Sequence, residues 1–137
     1  MVSGFKALKR AANGLTQAGV APLVAALRAE QALVGPDRAD ALFQTYSQLV
    51  SLVPGTTGEF LRRAFYAATL PRCGRDLTVG FGTVFSKQGI TAGDRVYVGM
   101  HCTLGHVLLG DHVTIGSNVD ILSGAGQHNF DDPDRPI

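Results

Sequence analysis

Charge of either sign is scarce and nearly balanced. Twelve Lys and Arg stand against eleven Asp and Glu among 137 residues, a formal net charge of +1. That balance argues against a dedicated nucleic-acid surface and carries no membrane-surface signal. Cysteine is scarce too: Cys73 and Cys102 form no repeated spacing and read as reduced core thiols of a cytoplasmic protein. No run of about 18 apolar residues exists, so no transmembrane segment is expected. A cleavable leader is not expected either. Lys6, Lys9 and Arg10 precede an alanine-rich run, but Asn13, Thr16 and Gln17 interrupt it and no clean cleavage site follows. What the chain does have is apolar content, 45% against 17% charged, enough for one folded domain. It also has 17 glycines, which ask for a structural reason because each costs backbone entropy.

Residues 1–71 read as helical. Pro22 suits a first helical position, and LVAALRAEQALV keeps helical spacing until Gly35-Pro36. In the next segment Leu42, Tyr46, Leu49 and Val53 fall on one stripe, expected to be buried, which Pro54-Gly55 ends. The third segment opens with Thr56 and Glu59 at capping-box spacing. Leu61, Phe65 and Ala68 line its apolar face, Arg62 and Arg63 point elsewhere, and Pro71 closes it. Phe5, Leu8, Ala12 and Leu15, with basic neighbours, make a weak amphipathic surface for which core packing is the expectation.

From about Leu77 the texture changes to Gly, Val, Thr and Ile. Val98-Gly99, Leu104-Gly105, Leu109-Gly110 and Ile115-Gly116 recur at spacings of six, five and six, with looser members at Val79-Gly80 and Ala92-Gly93. A six-residue period is too short for a sandwich and fits short strands joined by tight corners, each coil stacked on the last. The aliphatic residue is expected to point inward and its glycine to allow the corner. A second inward position follows four residues later, at Val96, Cys102, Val113 and Val119.

The stretch SLVPGTTGEFLRRAFYAATLPRCGRDLTVGFGTVFS, followed by GDRVYVGMHCTLGHVLLGDHVTIGSNVDILSGAGQHNFDDPDRPI, resembles bacterial hexapeptide-repeat acyltransferases. The likeness is to the group of galactoside, maltose and xenobiotic acetyltransferases, many of which look like polysaccharide O-acetyltransferases. It covers about residues 47–137. The resemblance implies a fold that is mainly β with N-terminal helices, a left-handed parallel β-helix. The expected organisation is a helical segment 1–71, then a β-helix domain 72–137 with a catalytic loop 123–137. It also implies a homotrimer with sites between neighbouring copies, acetyl-CoA as co-substrate, and a loop histidine as base. Members continue past a motif like DRPI with further coils, so the β-helix is expected to be truncated here.

Four histidines are present, His101, His106, His112 and His128. His128 sits in SGAGQHNFDDPDRP, a polar insertion that breaks the repeat as a loop leaving the coils. By the resemblance it is the general base that deprotonates the acceptor hydroxyl, a task suited to an imidazole with an ordinary pKa near 6.5. Asp131, Asp132 and Asp134 read as loop structure. Asp120, Asn118 and Gln127 are the candidate acceptor contacts, although Asn118 also reads as a turn asparagine. In related sugar acetyltransferases an Asn and an Asp stand near the places of Gly99 and His106 here, so the acceptor contacts must differ.

The expected activity is therefore acetyl-CoA-dependent O-acetylation of a saccharide or polysaccharide precursor, with no metal. Two alternatives stay open. One is a non-catalytic β-helix remnant or interaction module. The other is a metal lyase like the γ-class carbonic anhydrases, whose His-x4-His pair His101 and His106 resemble. Its third histidine is missing, with Phe65 near that place, and a catalytic zinc needs three protein ligands.

Overall fold

A computed structural model describes residues 2–123 of the chain. Three helices come first: α1 Val2–Val34, α2 Ala39–Ser51 and α3 Gly55–Thr69, with a 3-10 turn at Pro36–Arg38. Helix α1 runs through Pro22 rather than starting there. Gly35 ends it at φ 82°, a left-handed conformation glycine adopts without a Cβ clash, and its N–H bonds Gln31 O at 3.0 Å. Helix α3 begins at Gly55 with extended Pro54 as its cap, so Thr56 lies inside the first turn and the expected capping box does not form. Its last N–H bond is Leu70 to Tyr66, and Leu70 then turns extended, as a residue before proline must.

The buried stripe of α2 is Phe43, Tyr46, Ser47, Val50 and Ser51. Of the four residues expected there only Tyr46 is buried, and Leu49 is 54% exposed. The stripe is rotated because two serines lie on it, each with its hydroxyl satisfied. Ser47 Oγ lies 2.6 Å from Tyr66 Oη and accepts the Phe85 N–H at 2.9 Å, and Ser51 Oγ donates to Gln48 O. Tyr66 stacks on Phe85 at 4.1 Å between centroids, and Phe43 stacks on Phe65 at 5.9 Å. This aromatic seam joins α2, α3 and the strands into one core.

Among the described residues nine strands follow: β1 Arg72–Cys73, β2 Thr78–Val79, β3 Val84–Phe85, β4 Thr91–Ala92, β5 Tyr97–Val98, β6 Thr103–Leu104, β7 Leu108–Leu109, β8 Thr114–Ile115 and β9 Asp120–Ile121. They form three parallel ladders, β1-β4-β7, β2-β5-β8 and β3-β6-β9, so the chain visits each ladder once per coil for three coils. Inward residues stack in register: Cys73, Ala92 and Leu109; Val79, Val98 and Ile115; Phe85, Leu104 and Ile121. The five-residue spacing lies at one corner, between β6 and β7, where the chain turns tightly through Gly105–Val107.

The expectation of a mainly β chain, a left-handed parallel β-helix, is corrected by this structure. Helices of 33, 13 and 15 residues carry more of the chain than nine strands of two residues each. The fold is a mixed one, a helical layer packed on short parallel ladders. Each coil side bends at both ends, which leaves only two residues per side in ladder geometry.

The glycine reading is also corrected. Gly74, Gly80, Gly93, Gly99 and Gly105 do not supply left-handed corners. A Cβ on Gly80 would lie 2.6 Å from the Gly99 backbone, and one on Gly99 would lie 2.6 Å from Ser117 N. They are needed because successive coils approach closely at these points. The left-handed corners fall instead on Asp76, Arg95, His101, His112 and Asn118, with φ between 55° and 59°, and on Gly82, outside the repeat, at φ 74°. Inter-coil bonds offset that strain: Arg95 N–H to Arg75 O at 2.7 Å, His101 to Phe81 O at 3.0 Å, His112 to Asp94 O at 2.8 Å.

Candidate functional site

His128 and Gln127, with the rest of the segment 124–137, lie outside the described residues, as do Asp131, Asp132 and Asp134. The structure places the other two candidates on the third coil. Asn118 occupies a corner at φ 59°, its N–H bonded to Met100 O at 2.9 Å. Its backbone role is that of a turn asparagine, a residue type that tolerates this conformation. Its side chain is exposed. Asp120 opens β9, paired with Thr103 on the second coil, and its side chain points outward and is exposed. The two stand two residues apart on the coil that leads into residue 124. An amide and a carboxylate so placed can donate to and accept from polyol hydroxyls.

The described histidines are spread over three corners. His101 lies between β5 and β6, His106 between β6 and β7, and His112 between β7 and β8. His101 is stacked over Gly82, with its ring edge-on to Phe81 at 5.7 Å. His106 lies over Gly89, where a Cβ would meet the imidazole at 3.0 Å. Separate corners give these three side chains no common metal, and among the described residues no group of three His, Cys, Asp or Glu is placed to hold one. Both thiols are free. Cys102 is buried and donates to Gly116 O at 3.1 Å, and burial pushes the Cys73 thiol above its ordinary pKa. Cys73 is therefore not poised as a thiolate nucleophile.

One polar residue that the stripe reading turned outward is buried. Arg62 is 1% exposed and spans α2, α3 and β2, its Nε donating to Val79 O at 2.7 Å and its Nη1 to Val53 O at 2.7 Å and Val50 O at 3.2 Å. Burial lowers its pKa from the ordinary guanidinium value. No sequence signal marks this, because an arginine that caps a neighbouring helix looks like any surface arginine. The N-terminal stripe also differs from expectation: Phe5, Leu8 and Leu15 are exposed rather than packed in the core. No helix among the described residues is long and apolar enough to cross a membrane. No family model matches the chain, and neither does any curated protein or solved structure with which it was compared.

Proposed function

We propose that the protein is an O-acetyltransferase that moves an acetyl group from acetyl-CoA to a hydroxyl of a saccharide or polysaccharide precursor. The working form in this reading is a homotrimer. The observation that carries it is the aliphatic–glycine repeat in parallel register, with Val79, Val98 and Ile115 on one ladder and Phe85, Leu104 and Ile121 on another. The third described coil precedes the segment that holds His128.

The chemistry asked of these residues is simple. Neutral His128 takes the proton of the acceptor hydroxyl as its oxygen attacks the thioester carbonyl. The tetrahedral oxyanion collapses, the C–S bond breaks, and the proton passes to the departing CoA sulfur. Both substrates bind together, so no acyl-enzyme is required. Asp120, Asn118 and Gln127 orient the acceptor by hydrogen bonds to its hydroxyls, and that orientation supplies part of the rate.

Thiol release from acetyl-CoA in the presence of a panel of saccharides tests the reading. His128→Ala is expected to lower turnover by about 10²–10⁴. Unchanged release in that variant removes His128 from its role. A second reading, a non-catalytic interaction module, draws support from Tyr97, Met100, Leu108 and Leu122, apolar side chains exposed on the coils. It predicts no acetyl-CoA-dependent release and no shift of the thermal midpoint by acetyl-CoA.

A further inference from the structure

The N-terminal half of α1 buries no side chain; the buried residues of that helix are Val20, Val24 and Leu27. Lys6, Lys9, Arg10 and Asn13 fall at i, i+3, i+4 and i+7, on one face. That face borders a cleft of about 520 Å³ between α1, α3 and the first coil. Arg63 enters it from α3 and Arg75 from the turn after β1. The near-zero net charge conceals this asymmetry, because no Asp or Glu precedes Glu30.

The only acid on the lining, among the described residues, is Asp76. It is already engaged: Lys9 Nζ lies 2.8 Å from its Oδ1 and holds that carboxyl below its ordinary pKa. Arg75 is fixed by Asp94, its Nη2 2.9 Å from Oδ2 and its backbone N–H 2.8 Å from Oδ1. Arg63 is fixed by Leu77 O, to which its Nε donates at 2.6 Å, and its guanidinium lies 5.6 Å from the Phe60 ring centroid. Lys6, Arg10 and Arg63 make no ion pair among the described residues. Three cations that no described acid compensates thus face one space, and Asn13 and Gln17 add neutral amide donors.

We propose that this cleft binds the phosphate group of an anionic ligand. Cations held on opposite walls repel one another until a multiply charged acceptor enters. A tetrahedral phosphate offers oxygens in several directions and suits guanidinium forks, whereas a planar carboxylate answers one wall only. The volume lies in the range of small-molecule sites, leaving room for an organic body against Phe60 and Ala67. Two sources carry that chemistry: a free phosphate compound, or the headgroup of an anionic phospholipid. Exposed Val2, Phe5, Leu8 and Leu15 on the same half of α1 suit a lipid interface and make the second source concrete. The site touches the first coil, whereas His128 follows the third, so this inference does not rest on the acyl-transfer reading.

Calorimetric titration of the full chain with inorganic pyrophosphate at low salt tests it, beside co-sedimentation with vesicles of phosphatidylglycerol and phosphatidylcholine. The double variant Lys6→Ala/Arg10→Ala removes two exposed cations that no packing needs. Gln17→Glu is an independent second variant that sets an acid on the lining. Both are expected to weaken binding by about tenfold or more, while Arg38→Ala on the distant 3-10 turn leaves it unchanged. Pyrophosphate binding that responds to the variants assigns a free phosphate compound, and vesicle binding alone that does so assigns the headgroup. Binding to neither probe, or an equal loss in Arg38→Ala, overturns the proposal.

Discussion

Arg62 takes a positive charge into the interior and meets it with carbonyl oxygens. Val50 lies in the last turn of α2 and Val53 just beyond it, where helical carbonyls lack partners and carry partial negative charge. The guanidinium fork reaches both of these and also Val79 O on β2. It therefore closes a helix end and ties the helical layer to the coils with one side chain. Arg62→Ala leaves those oxygens without their donors, and the expected loss is about 3 kcal/mol or more of unfolding free energy. Arg62→Lys recovers only part of it, because an ammonium carries its three donors on one nitrogen, whereas Arg62 reaches these oxygens from two. Urea unfolding of the three proteins checks both, and an unchanged midpoint for Arg62→Ala contradicts the assignment.

Among the elements, the coils depend on the repeat glycines for closeness, and only Gly82 of the described coils, at φ 74°, serves conformation. The inward aliphatic residues were legible in the sequence, since Val79, Val98, Leu104 and Ile115 are all buried. Their glycines were legible as a pattern but not in purpose, because a clash with the next coil exists only after stacking. Gly99→Ala pushes a methyl against Ser117 N and its hydroxyl, and about 2 kcal/mol or more should be lost. Gly14, inside α1, would meet nothing within 4 Å, so Gly14→Ala should not destabilise and should gain about 0.5–1 kcal/mol of helix propensity. Equal effects in parallel denaturant titrations would contradict the close-approach argument. The α2 stripe shows the opposite case: counting apolar residues put Leu49 inside, whereas Ser47 and Ser51 are buried because tertiary partners satisfy their hydroxyls.

At the scale of the whole molecule, two tyrosines and one thiol that titrate at high pH push in one direction. Burial raises the Tyr66 phenol from 10.0 to about 12, and it also raises the Cys73 thiol. Tyr46 is held up chiefly by its hydrogen bond to Glu30. Between pH 10 and 12 the unfolded chain releases the Tyr66 proton and the folded chain keeps it. Stability is thus fully present below pH 10 and falls as pH rises through that window, by about 2–3 kcal/mol for Tyr66. Tyr66→Phe should unfold more easily at neutral pH, having lost its bond to Ser47, yet show a shallower decline above pH 10. Denaturation midpoints measured across that range decide it, and identical slopes would remove Tyr66 as the source.

The sequence alone determined the helical character of the first seventy residues, the repeat and its inward aliphatic positions, and the absence of a spanning apolar run. These are properties of neighbours along the chain, set by propensity and by periods of a few residues. Only the tertiary structure decided the balance between helix and strand, the burial of Arg62, Ser47 and Ser51, and the purpose of the repeat glycines. It alone joined Lys6 and Arg10 of α1 with Arg63 of α3 and Arg75 of the first coil around one cleft. Each of those depends on a partner far away in sequence. A polar group's burial is decided by whether that partner satisfies it, and no local pattern carries that information.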